Sequence, residues 1–465
     1  MKFGGTSVKD AHAFERVAKI VRAQAREARA VVVVSAMSGF TDALLASVET
    51  AAGGDAVGAL RILDEGFARH VEVAHRLLAA EASALIESGV ENARREIAEL
   101  LRIIAAHPVT RPPLQDEIVS YGERLSALLL ASTLNANSLP ARYVDARLCI
   151  ATDDEYGCAQ PLFEETERRT RARLEPLIEA LEIPVIGGFI ASSLSGATTT
   201  LGRGGSDYTA ALVGAALIAR EVEIWTDVTG VLTADPRVVC EARTISRLSY
   251  AEAAELAYFG AKVLHPKTIQ PAVERQIPVR ICNSHAPEEA GTLVGAETLS
   301  LPLTVKAIAH KTGITTVQIT SGRMLGAYGF LRAIFEIFDR HRTVVDVVTT
   351  SEVSVSLSLD DATSLPAVIK ELEELGTVEV VRDRAIICVV GEGLRSTPGV
   401  GSRVFSTISD INVSLVSLGA SSINLTFAVD QQHANEVVTR LHEAFFEREA
   451  EGLDETLSSK GAAQY

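Results

Sequence analysis

Residues 183–220 run from a short β-branched stretch, through a glycine-rich loop, into an Ala/Leu-rich segment, and this order restricts the fold more than any other part of the chain. Ile183-Pro-Val-Ile-Gly-Gly-Phe189 reads as a buried strand ending in glycines. Thr209 to Arg220 reads as a helix, with Ser206 or Asp207 as its N-cap, since either side chain accepts a bond from a free N–H of the first turn. Between them lies Thr200-Leu-Gly-Arg-Gly-Gly-Ser-Asp-Tyr208. Gly202, Gly204 and Gly205 let the backbone turn tightly and approach a ligand. A helix N-terminus beyond such a turn favours an anion. Arg203 adds a fork of donors for a carboxylate and Asp207 an acceptor for an ammonium, a pairing that suits an amino acid. A plain glycine turn with a helix cap is the competing reading of the loop alone.

The same alternation recurs along the first 285 residues. Lys2-Phe-Gly-Gly-Thr-Ser7 precedes a helical stretch from Val8 to Ala28, an arrangement that suits a phosphate: glycines bring N–H groups forward and the ammonium neutralises charge. No GxxxxGK[ST] loop occurs, so this is not a Walker motif, and a simple strand-to-helix turn is the alternative. Ala30-Val-Val-Val-Val-Ser35 reads as a strand buried on both faces. The small-residue loop Ser35–Thr41 follows at the strand end where open α/β sheets bind ligands, which makes Ser35, Ser38 and Thr41 candidates for contact or simply for capping. Residues 43–107 are helical in pattern, and His70, His75 and His107 have no metal-like spacing. Pro108 to Pro113 is a break, and Asp116 to Asn135 a helix in which Glu123 follows Gly122; Glu123 is either an exposed helix residue or a ligand group. Ala141–Asp145 and Ile277–Asn283 read as strands, and residues 162–182 as a helix. Val222–Gly230 contains a strand ending in Thr226-Asp227, with Trp225 either core or near a nucleotide. Ser249–Phe259 reads as an amphipathic helix, after which Lys262 is a second candidate phosphate lysine and His265, before Pro266, a structural residue. Such alternation implies right-handed βαβ units and an α/β fold with a mainly parallel sheet.

At 465 residues the chain exceeds one ordinary domain. Its net charge of −16 argues against a nucleic-acid or anionic-membrane binder, so any phosphate site must be locally basic or use a metal ion. Five cysteines without a CxxC pair suggest neither a disulfide framework nor a zinc site, which fits a reduced, cytoplasmic setting. The N-terminus, Met1-Lys-Phe-Gly-Gly, has no apolar h-region, so no signal peptide is expected, and no apolar run reaches about 18 residues, so no transmembrane helix is expected. The C-terminal third repeats itself: Gly329–Phe335 resembles Gly399–Phe405 and Ser351–Leu357 resembles Ser421–Phe427, both pairs at an offset of 70. Each copy reads strand, glycine turn, helix, strand, alternating strand, helix, the ferredoxin-like plan. The polar residues after 447 read as a frayed tail.

Four motifs in order, KFGGTS at 2–7, TLGRGGSDYTAA at 200–211, IWTDVTGV at 224–231 and FGAKVLHP at 259–266, followed by the repeat, resemble aspartate kinases of the amino-acid kinase superfamily. The tail resembles their paired ACT domains, in particular those of the monofunctional lysine-sensitive branch. The resemblance implies a three-layer αβα catalytic domain over 1–296, a first ACT-like module over 297–384 whose leading strand pairs with the second module at 385–447, and a polar tail at 448–465. It implies transfer of the γ-phosphoryl of ATP, with Mg²⁺, to the β-carboxylate of L-aspartate. Lys2 and Lys262 would then bind phosphates and stabilise the transferring group, and Gly4 and Gly5 would offer N–H groups. Arg203 would hold the α-carboxylate, Glu123 and Asp207 the ammonium, and Ser35, Thr41 and Phe189 would line the pocket. Thr226, Asp227, Leu232 and Arg237 would contact the nucleotide. Met324, Phe330, Leu331, Val345, Asp346, Thr350, Ser351 and Glu352 match the effector region, with lysine the favoured effector and threonine or both as alternatives. Leu232 and Ala327 stand where lysine-sensitive relatives often carry tyrosine and serine, and only Met1 precedes Lys2 where relatives carry a short apolar strand. A homodimer or dimer of dimers through the ACT modules is expected. The competing functions are a kinase for another carboxylate acceptor and a catalytically silent amino-acid sensor.

Overall fold

The computed structural model describes residues 1–260, 264–296, 305–419 and 421–447, so Lys262 and the tail 448–465 lie outside the described residues. The chain forms two compact units. The first takes Met1–Val231, Ser246–Tyr250 and residues 264–296; the second takes Leu232–Ile245, residues 251–260 and the described residues from 305 onward.

In the first unit the strands are β1 (Lys2–Phe3), β2 (Val32–Val34), β3 (Ala141–Val144), β4 (Ala151–Thr152), β5 (Ile183–Gly187), β6 (Ile190–Ser193), β7 (Thr198–Thr200), β8 (Val222–Thr226), β9 (Arg247–Ser249), β10 (Val279–Asn283) and β11 (Thr292–Gly295). The main sheet has the order β3-β5-β2-β1-β8-β10-β11-β9. Every neighbouring pair in it is parallel except β10 with β11. Short β-branched strands suit this position because both faces are covered: Val32, Val33 and Val34 of β2 are all buried. Phe14 and Val17 of helix Ala11–Ala25, Phe40 and Leu44 of helix Phe40–Ala52, and Ile118 and Leu129 of helix Arg111–Ala136 share one core with Phe3, Val34 and Trp225. Helix Gly205–Ala216 also packs on the sheet, against β1, β2 and β8, and against helix Phe163–Glu179, completing the αβα layers of an α/β unit. A smaller sheet, β4-β6-β7, is a separate feature whose antiparallel β6–β7 hairpin delivers the chain to the loop at 200–208.

Two local expectations are corrected. The break at Pro108–Pro113 is only a 3-10 turn at Pro108–Thr110; the helix begins at Arg111, with Pro112 and Pro113 in its first turn, where a missing N–H costs nothing. The helix after the central loop starts at Gly205 and ends at Ala216, and Gly204 is its N-cap with no side-chain bond, so neither Ser206 nor Asp207 caps it. Gly204 takes this place with φ +73, a conformation open to glycine, and Asp207 is used elsewhere.

In the second unit, β12 (Ala307–Thr320), β13 (Val348–Thr350), β14 (Ser354–Leu359), β15 (Thr377–Val390), β16 (Leu415–Leu418) and β17 (Asn424–Asp430) form one antiparallel sheet of order β13-β14-β12-β15-β17-β16. The offset of 70 survives in three dimensions: helices Phe330–Arg340 and Val400–Thr407 each follow a glycine of positive φ, Gly329 and Gly399, and β14 and β17 begin at matching positions. The leading half of β12, Ala307–Lys311, pairs with Ile386–Val390, while Thr316–Thr320 pairs with Thr377–Val381. The two ferredoxin-like copies thus share their central strands. Each copy covers one face of the sheet with its own helices, around Ile334, Phe338 and Leu372 in the first and Val404, Val438 and Leu441 in the second.

Candidate active site

The C-terminal ends of β1, β2 and β8 open onto a cavity of about 840 Å³. Its walls come from the turn after Lys2, the loop Ser35–Asp42, one face of helix Arg111–Ala136, Thr226-Asp227 and the loop 200–207. This is the edge at which parallel sheets collect ligands, because each strand hands the chain to a loop there.

β1 is short but fixed on both sides, with Lys2 opposite Val33 and Ile224, and the Gly4 N–H donates to the Trp225 carbonyl at 3.2 Å. A Cβ on Gly5 would lie 2.9 Å from the Ala36 carbonyl oxygen, so glycine is what lets this turn lie against the loop after β2. Lys2 Nζ meets Asp207 Oδ1 at 2.7 Å, joining the first motif to the central loop. Both side chains are only 11% and 16% exposed, so the pair is shielded from bulk water more than a surface ion pair is.

The central loop is shaped by Gly202 and Gly204, both at φ +73. It packs so closely on the end of β5 that a Cβ on Gly188 would fall 2.6 Å from Ser206 Cβ. Phe189, next in the chain, has φ +66, a left-handed conformation that a bulky residue rarely adopts. Its N–H donates to Thr209 Oγ1 at 3.0 Å, and Phe189 lines the cavity. Arg203 also lines the cavity, is exposed, and forms no ion pair among the described residues.

Glu123 enters from helix Arg111–Ala136. It is 3% exposed, and its Oε1 accepts the Ala36 N–H at 3.2 Å. Oε2 is buried with no hydrogen-bond partner among the described residues. Burial pushes its carboxyl up to about 8, opposed by the Ala36 N–H. An unpartnered carboxylate oxygen beside a cavity is the chemistry that an ammonium group satisfies.

The structure therefore gathers Lys2, Gly4, Gly5, Ser35, Thr41, Glu123, Phe189, Arg203, Asp207, Thr226 and Asp227 around one space. Ser38 lines it too and gives its carbonyl to Arg69 at 2.7 Å. Leu232 and Arg237 belong to the second unit, where Arg237 pairs with Asp235 at 2.6 Å. Trp225 is core: it is 3% exposed, stacks on Phe3 and donates Nε1–H to Glu223. His70 is buried against Phe40 with Nδ1 2.7 Å from the Gly66 carbonyl, and burial lowers it to about 4, a structural histidine. Asp116, Gln115 and Asp42 line the cavity without having been singled out from sequence. The available signal was spacing: Asp116 lies seven residues before Glu123, two turns along the same helix face.

Among the expected effector residues, Met324, Phe330 and Val345 pack on the core of the first C-terminal copy, and Leu331 is exposed. Thr350 ends β13, Ser351 Oγ lies 2.7 Å from Ser354 Oγ, and Glu352 is exposed. Asp346 Oδ1 accepts the Tyr258 hydroxyl, while its Oδ2 is buried without a hydrogen-bond partner among the described residues.

Comparison with known proteins identifies the family. The amino acid kinase family model matches residues 1–283, and an ACT domain model matches residues 387–445. Lysine-sensitive aspartokinase 3 of Escherichia coli is 40% identical over 454 residues, covering 96% of this chain and 98% of its own length. Two solved structures of E. coli aspartokinase III, one in complex with aspartate and ADP and one with lysine and aspartate, each superpose with a TM-score of 0.80 at 40% identity, over 96% of this chain and 99% of theirs. The chain belongs to the aspartokinases of the amino acid kinase family.

Proposed function

We propose that this chain transfers the γ-phosphoryl group of ATP to the β-carboxylate of L-aspartate, giving 4-phospho-L-aspartate and ADP, and that lysine inhibits it through the ACT unit. The observation that carries the reading is the single cavity in which Lys2 and its glycine turn face the Arg203–Asp207 loop and the unpartnered oxygen of Glu123. The E. coli relative's complexes with aspartate and ADP, and with lysine, support the same substrates and effector.

The acceptor carboxylate is already anionic, so it needs no strong base. One of its oxygens attacks the γ-phosphorus as the bond from that phosphorus to the bridging oxygen of ADP breaks. Catalysis then rests on positioning and on neutralising phosphoryl charge. Lys2 supplies that charge, and Asp207 orients the Lys2 ammonium and accepts from the substrate ammonium. Arg203 holds the α-carboxylate, and Glu123 takes the ammonium on Oε2. Among the described residues, no group of three or more His, Cys, Asp or Glu side chains forms a metal site. Mg²⁺ would accompany the nucleotide, held chiefly by phosphate and water oxygens, and neutralise phosphate charge. Lys262 is assigned to the phosphates by motif alone. Pairing of two copies through the ACT modules accompanies the reading and is checked by light scattering.

Coupled assays of ADP release with aspartate, glutamate and N-acetylglutamate test it. Turnover confined to aspartate supports it; turnover with another acceptor, or with none, overturns it.

A further inference from the structure

One buried carboxylate beside the cavity has no part in the chemistry above. Asp116 is 2% exposed, and its Oδ2 accepts two backbone N–H groups, from Gly157 and from Thr200, each at 2.9 Å. These donors come from segments far apart in the chain. Thr200 closes β7 and opens the central loop. Gly157 stands in an exposed turn at φ +83. The two segments also hold each other: the Ala159 N–H donates to the Thr200 carbonyl at 2.9 Å, and a Cβ on Gly202 would lie 3.3 Å from the Gly157 carbonyl oxygen. The turn at 157–159 thus buttresses the start of the loop, and Asp116 bonds to both.

The neighbouring acid does a different job. Glu117 pairs with Arg124 and Arg147 and accepts the Thr198 hydroxyl, fixing the hairpin away from the cavity wall. Asp116 lies on the wall itself, two turns before Glu123 on the same helix. Burying a carboxylate is costly unless donors satisfy it, and here one donor, the Thr200 N–H, opens the loop that carries Arg203 and Asp207, while the other, the Gly157 N–H, belongs to the turn that buttresses that loop.

We propose that Asp116 is a positioning residue for the acceptor amino acid: it clamps the loop 200–207 to the helix that carries Glu123, and so fixes the spacing between Arg203, which takes the α-carboxylate, and Glu123, which takes the ammonium. The proposal rests on the aspartate pocket described above. The backbone of Lys2 and its glycine turn is held by β1, and only the Asp207 side chain links Lys2 to the clamped loop, so the larger effect falls on KM for aspartate.

Steady-state kinetics on the full chain test this with Asp116→Ala, Asp116→Asn and Arg203→Ala. Asp116→Ala raises KM for aspartate about tenfold or more while KM for ATP moves less than about twofold, the loss expected when one buried and one partly buried N–H group lose their acceptor. Asp116→Asn keeps an acceptor oxygen and returns KM for aspartate to within about threefold of the parent. If the alanine chain does not fold, Asp116→Glu, which moves the oxygens by one methylene, is read by the same split. An unchanged KM for aspartate, or both KM values rising together with asparagine no better than alanine, overturns the proposal. If Arg203→Ala raises KM for aspartate and Asp116→Ala does not, only the role of Asp116 falls. If Arg203→Ala leaves it unchanged, the pocket reading fails and takes the proposal with it.

Discussion

Lys2 Nζ and Asp207 Oδ1 lie 2.7 Å apart, so the second residue of the chain is paired to the first turn of a helix that begins at Gly205. Both residues line the cavity, and the pair is largely shielded from solvent. Lys2→Ala removes the charge that would stabilise the transferring phosphoryl, and kcat falls on the order of a hundredfold or more. Initial rates at saturating aspartate and ATP, with circular dichroism to confirm folding, check this. A kcat within a few-fold of the parent would remove Lys2 from the mechanism.

Glu123 gives a pH signature. Its carboxyl is pushed up to about 8, so it is largely neutral below that and anionic above it. Only the anion pairs with an ammonium. The value of kcat/KM for aspartate therefore rises with pH through about 8, and Glu123→Gln lowers the plateau and flattens this limb.

The same carboxyl affects stability with the opposite slope. Between the unfolded value of 4.5 and about 8, the folded chain binds more protons than the unfolded one, so this residue's contribution falls as pH rises through that window. Glu123→Gln removes the penalty. Its melting temperature, measured without ligand and relative to the parent, increases from pH 5 to pH 8, and saturating aspartate narrows the difference. A difference that does not change with pH would mean that Glu123 titrates normally.

Gly188 and Ser206 test the packing of the loop. A Cβ on Gly188 would meet Ser206 Cβ at 2.6 Å and its Cα at 2.7 Å, so Gly188→Ala must push the loop away from β5. Overpacking of this kind costs about 1–3 kcal/mol and should also raise KM for aspartate. Thermal melts and kinetics on one preparation read both.

On the regulatory side, Asp346 keeps one oxygen for the Tyr258 hydroxyl and leaves the other buried without a hydrogen-bond partner among the described residues. If that oxygen receives the effector's ammonium, Asp346→Asn raises the lysine concentration for half inhibition about tenfold or more, since a buried charge pair loses one partner. The uninhibited rate stays the same. An unchanged inhibition curve would place the effector elsewhere.

The motifs that carry chemistry were legible because each needs residue types that local structure rarely demands together: a lysine before paired glycines, or an arginine between glycines with an aspartate four residues on. The parallel sheet followed from short β-branched runs such as Val32–Val34, and the ferredoxin-like repeat from an offset that the helices at Phe330 and Val400 keep. What sequence missed depends on contacts between distant residues. The Gly204 cap looked like a job for Ser206 or Asp207, but Asp207 is claimed by Lys2. Glu123 was named only through the family resemblance; periodicity alone left it open, because it does not reveal a helix covered on nearly every side. For Asp116 the only local sign was its spacing from Glu123; its two donors lie 41 and 84 residues away.

The central claim is that one cavity holds ATP's terminal phosphate beside a zwitterionic dicarboxylate. Initial rates of ADP release with ATP and aspartate, for the parent and for Arg203→Ala, measure it most directly. The account predicts turnover that lysine suppresses in the parent, and a KM for aspartate raised about tenfold or more in the variant with KM for ATP little changed. Equal aspartate kinetics in the two chains, or no aspartate-dependent ADP release from the parent, would contradict it.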